Sequence, residues 1–83
     1  MNKEEILNVI KKNIVAAVDD ISESDIDPMK SMAEYGASSL DVVEVVSNSM
    51  RQLKIKIPRT ELADIKNIDE LANKFFQNST HEV

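Results

Sequence analysis

The 83-residue chain has no cysteine, no tryptophan, one glycine, two prolines and one histidine, and aromatic residues make up only 4% of it. Without cysteine there is no disulfide framework, no thiolate metal site and no thiol nucleophile, which is compatible with a reducing compartment. So little glycine and proline leaves too few turn residues for a β-sandwich or barrel and points to helices. No run of about 18 apolar residues is present, so no spanning helix is expected. The opening Met1-Asn2-Lys3-Glu4-Glu5 lacks the apolar stretch of a secretory signal.

What is there is acid. Fifteen Asp and Glu against ten Lys and Arg leave a net charge of −5. That balance argues against nucleic acid as a partner and for a basic surface on another protein. Hydrophobic residues at 42% and charged residues at 30% describe an ordinary soluble globule. A chain this short makes one domain that buries about 60 to 65 per cent of its unfolded surface, with no room for a deep enclosed active site. The expected organisation is a single domain over 1–83, with its core at about 3–76 and a frayed tail at 77–83.

The single glycine stands in Tyr35-Gly36-Ala37-Ser38-Ser39-Leu40-Asp41-Val42-Val43-Glu44. Gly36 lets the backbone turn sharply. Ser38 and Asp41 have the spacing of a capping box, which makes Ser39 the first residue of a helix. A helix N-terminus carries about half a positive charge and free amides, a seat for a phosphate. Taken alone, Gly-x-Ser-Ser marks no more than a helix start, because serines favour caps.

The wider pattern adds to this. Gly36-Ala37-Ser38-Ser39-Leu40-Asp41 followed by Val43-Glu44 resembles the phosphopantetheine attachment motif of acyl carrier proteins, commonly Gly-Ala-Asp-Ser-Leu-Asp. Ile57-Pro58 resembles the family's Ile-Pro before its short third helix, and Asn67-Ile68-Asp69-Glu70-Leu71 the start of its last helix. The likeness spans about residues 3–76. It implies an all-α fold, a small four-helix bundle of three main helices plus a short third, with a long loop after helix one. It also implies a 4′-phosphopantetheine arm on Ser39, holding acyl groups as thioesters, with a phosphopantetheinyl transferase and acyltransferases or ketosynthases as partners. The chain departs from the family at Ser38, where Asp is usual, which bears on how it is presented to the transferase.

Along the chain, Ile6, Leu7, Ile10, Ile14, Ala17 and Val18 recur at helical spacing and predict a first helix over residues 3 to 18. A long acidic loop follows from Asp19 to Ala37, expected to be pinned by Ile21, Ile26 and Met32, with Met29 at a core edge. Its Asp25-Ile26-Asp27 lacks the spacing, glycine and closing glutamate of a calcium loop, so no metal is expected. The second helix spans Ser39 to Leu53, with Leu40, Val43, Val46, Met50 and Leu53 as its stripe and Val42 and Val45 beside it. That surplus of apolar residues fits two arrangements, a helix buried on two sides or one that meets both its core and visiting proteins. In the second, Leu40, Asp41, Val43 and Glu44 form the docking end; further on, Arg51, Lys54, Lys56 and Arg59 reverse the sign. Ile55 to Ile57 reads as an extended connector, Thr60 as the cap of a short turn from Glu61 to Ile65, and Asn67 with Glu70 as the box that opens a last helix with the stripe Ile68, Leu71, Ala72 and Phe75.

Catalysis has little to work with. The only histidine, His81, lies in the tail, and no base stands near Ser39 in sequence. Two function classes remain. One is a non-catalytic, cytoplasmic and monomeric carrier, free-standing and serving a polyketide-type pathway rather than housekeeping fatty acid synthesis. The other is a small helical interaction module in which Ser39 is only a cap.

Overall fold

The computed structural model describes residues 2–79. Four α-helices, α1 (Lys3–Ala17), α2 (Ser39–Leu53), α3 (Arg59–Leu62) and α4 (Ile68–Ser79), are joined by loops that hold two 3-10 turns, Glu23–Asp25 and Met32–Tyr35. Among the described residues there is no strand, as the all-α expectation required.

The helix α1 starts where Asn2 and Glu5 form a capping box: the Glu5 amide donates to Asn2 Oδ1 at 2.9 Å. Its inner face carries Ile6, Ile10 and Ile14, each fully buried, with Leu7, Ala17 and Val18 partly buried beside them. Both α2 and α4 pack on α1. From α4 come Ile68, Leu71, Ala72 and Phe75, the stripe read from its spacing.

On α2 the inward face differs from the one expected. Val45, Val46, Ser49 and Leu53 are buried, whereas Leu40 is 81% exposed and Val43 61% exposed. The helix is therefore not buried on two sides. Seven apolar residues cover more than half its circumference, and periodicity alone does not say which part the neighbours occupy.

The long loop is tied down at several points. Ile26 and Met32 are buried and Ile21 is partly buried against the core, but Met29 is 67% exposed, a correction to its expected place at the core edge. The loop also completes the start of α4, since the Ile68 and Asp69 amides donate to the Lys30 and Pro28 carbonyls at 3.1 and 2.8 Å. The Asn67 side chain accepts from the Glu70 amide at 2.8 Å, while Glu70 reaches back to the Lys66 amide rather than to that of Asn67. Pro28, the turn after it and the tyrosine hydroxyl of Tyr35, which accepts from the Asp27 amide, hold the loop's middle.

Two further expectations shift. Thr60 is no cap: α3 begins at Arg59 behind Pro58, and Thr60 lies inside it. Gln77, Asn78 and Ser79, expected to fray, continue α4, with Asn78 and Ser79 side chains donating to the Lys74 and Phe76 carbonyls. Residues 80–83, with His81, lie outside the described residues. No helix of the described residues is long and apolar enough to cross a membrane, and none of their acidic or histidine side chains cluster as a metal site.

Candidate functional site

The site is built by a turn and a cap. Gly36 ends the second 3-10 turn at φ +91°, its amide donating to the Ala33 carbonyl at 3.0 Å. That left-handed conformation swings the chain outward, and glycine adopts it without the steric penalty a Cβ brings. Two residues on, Ser38 opens α2: its hydroxyl accepts from the Asp41 amide at 3.2 Å, and Asp41 Oδ2 accepts from the Ser38 amide at 2.9 Å. The reciprocal pair spends Ser38 and Asp41 on the backbone and leaves Ser39 without a role in the cap.

Ser39 is exposed at the first position of α2, and its hydroxyl makes no hydrogen bond within the described residues. A side chain so placed can be esterified without disturbing the fold, and a phosphodiester on it would lie at the positive end of the helix. Among the described residues no base lies within hydrogen-bond reach of that hydroxyl. Leu40 and Glu44 are exposed on the outer side of α2, Val43 stands exposed toward one flank, and Asp41 is half-buried at the cap. The structure thus brings the four expected docking residues together around Ser39.

One feature was not anticipated from the sequence. Beside α2 runs an open, largely apolar groove of about 610 Å³. Val42, Val46 and Met50 of α2 form one wall; Ile57, Leu62 and Ile65 of the connector and α3 region form much of the other, and Leu71 of α4 contributes to the lining. It begins one helical turn from Ser39. The connector is held against it by Met50, whose Sδ accepts from the Ile57 amide at 3.4 Å. The surplus of apolar residues on α2 was the available signal, since Val42 and Met50 face this space rather than a fully packed core.

Comparison with known proteins matches this geometry to a family. The model of the phosphopantetheine attachment site matches residues 12–75, a span that contains Gly36, the α2 cap and the groove walls. The chain is 34% identical over 76 residues to the polyketide biosynthesis acyl-carrier-protein AcpK of Bacillus subtilis (strain 168), covering 92% of this chain and 93% of that one. No solved structure is a significant match. With a free serine at a capped helix start and a match over most of its length, the chain belongs to the phosphopantetheine-binding acyl carrier proteins, whose cofactor is a covalently bound 4′-phosphopantetheine.

Proposed function

We propose that Ser39 is the attachment residue, and that the chain is a non-catalytic carrier working in a polyketide-type pathway in the cytoplasm. The observation that carries the assignment is the division of labour at the start of α2: Ser38 and Asp41 satisfy the cap, and Ser39 stays exposed with an unused hydroxyl. When bound, the arm supplies the thiol that holds the acyl group as a thioester.

The chain's own residues present that site and let partner enzymes find it. A phosphopantetheinyl transferase and, after it, acyltransferases or ketosynthases would meet Leu40, Val43 and Glu44 with Asp41 nearby, because anything that reaches Ser39 must approach this end of α2. Tethering a cargo here raises its effective concentration at each docked enzyme. The groove beside α2 offers apolar surface to a chain anchored one turn away. The pathway assignment rests on the likeness to the polyketide carrier, of which this chain covers 93%, and on the basic second half of α2. One domain over 1–83, acting as a monomer, is sufficient for this work.

The direct test is an intact mass spectrum after incubation with coenzyme A and a broad-specificity phosphopantetheinyl transferase. One phosphopantetheine unit gained by the wild type and none by Ser39→Ala is expected; loading that persists in Ser39→Ala would place the arm elsewhere. Full rescue of a strain lacking its fatty-acid carrier would overturn the pathway assignment.

A further inference from the structure

The outermost line of α2 changes sign along its length. At 100° per residue, Leu40, Glu44, Ser47 and Arg51 fall on one ridge, opposite the buried Val45, Ser49 and Leu53. Lys54 follows at the same spacing, as the left-handed C-cap at φ 58°. Glu44, Arg51 and Lys54 are exposed, and none forms an ion pair among the described residues, where the ion pairs are Lys3 with Asp69 and Lys74 with Glu61. Lys56 and Arg59, also exposed, extend the positive end into the connector and the start of α3. Along the axis, Glu44 and Arg51 stand about 10 Å apart, and Asp41 and Lys54 about 20 Å apart, from the rise of a helix.

Resting on the reading of Ser39 as the arm's anchor, we propose that this ridge sets the direction in which α2 docks. Its partner is an enzyme surface with cationic groups beside the entrance for the arm and carboxylates roughly 10 to 20 Å further along. A ridge of one sign attracts an oppositely charged surface equally well in either direction along the helix axis. A ridge of two signs opposes like charges at both ends when the docking is reversed, and such opposition is what excludes wrong arrangements. The benefit is positional: only one direction brings Ser39, at the acidic end, to the entrance. Leu40, exposed at that end, supplies the apolar contact that holds the docked pair.

The test uses the whole chain and a probe of known charge order. The probe is an amphipathic peptide of about 20 residues, long enough to be helical once its leucine stripe docks. Its lysines occupy one half and its glutamates the other, with a nitroxide at the lysine end. At low salt the nitroxide is expected to broaden the amide signals of Leu40 and Asp41 and to leave those of Arg51 and Leu53 sharp. The double variant E44K/R51E should invert this pattern, and each single reversal should weaken binding by roughly two- to fivefold, the range for an exposed pair.

Broadening of both ends alike, or of signals away from α2, would overturn the proposal. So would an all-lysine peptide that binds as tightly and as directionally as the bipolar one. Concentration-dependent sedimentation at low salt, abolished by E44K and restored in E44K/R51E, would assign the ridge to a second copy of the chain instead. Arm loading is read separately by mass: a chain that docks in one direction but takes no arm would refute the assignment of Ser39 alone.

Discussion

The side-chain amide of Asn13 on α1 donates to the hydroxyl of Ser49 on α2 at 3.0 Å, with both residues buried inside the helix interface. The same amide reaches the Val9 carbonyl at 3.1 Å and Gln52 Oε1 at 3.3 Å. A buried polar link between α1 and α2 favours one alignment of the two helices, because sliding either one leaves buried polar atoms unpaired.

Asn13→Ala should therefore cost about 2 kcal/mol, the usual penalty for a buried hydroxyl that loses its partner together with lost packing. Asn13→Leu combined with Ser49→Ala should recover most of that loss, since removing both polar groups removes the penalty. Urea denaturation of the single and double variants measures the coupling. Strict additivity would show that the two side chains act independently.

Ser39→Ala should leave stability within about 0.5 kcal/mol of the wild type, as its hydroxyl bonds to nothing among the described residues. Ser38→Ala should cost about 1 kcal/mol, the typical value of an N-cap. Thermal melts of the two unloaded variants, compared side by side, check the order. Unfolding of Ser39→Ala would mean that Ser39 is the residue that supports the helix.

Gly36 has open space where a Cβ would stand, so Gly36→Ala meets no clash. Its cost is that of the left-handed backbone alone, about 1 to 2 kcal/mol. Because the Cβ has nothing to strike, Gly36→Val should cost more than Gly36→Ala only through its β-branch, not through displaced neighbours. Denaturation midpoints of the two variants make the measurement.

Lys54 adopts the left-handed conformation that helix C-caps ordinarily give to glycine. Lys54→Gly should stabilise the protein by about 0.5 to 1 kcal/mol, the relief of that conformation less the greater entropy glycine loses on folding. A lowered melting temperature would show that the lysine's contacts outweigh its backbone.

Glu44→Lys should slow transfer to and from partner enzymes and reduce the salt dependence of that rate, since exposed charges steer association. The fold should hardly respond, with a stability change within about 0.5 kcal/mol. Partner turnover measured at low and moderate salt checks both statements; unchanged turnover would move the docking end away from Glu44.

The start of α2 was legible because everything that makes it is local. Gly36 turns the chain, Ser38 and Asp41 close a box three residues wide, and Ser39 follows as the first helical residue. The same holds for the α4 stripe. By contrast, spacing placed Leu40 and Val43 on the apolar stripe of α2 without deciding whether that end is buried or meets visiting proteins, and both are exposed; Met29, expected at a core edge, is exposed as well. Asn13 and Gln52 carried no mark that distinguishes them from surface polar residues, yet one of them is buried and both bond across the interface.

By itself, then, the sequence determined where the three long helices begin, which residue the motif presents, and the sign of charge at each end of α2. Those depend on contacts within about one helical turn, which spacing records. Only the tertiary structure decided which side of α2 faces out, that a groove opens beside Val42, Val46 and Met50, and that Lys54 rather than a glycine takes the left-handed cap. Burial is settled by where α1, α4 and the connector lie, and helices placed by residues far apart in the chain leave no periodic trace in any one of them.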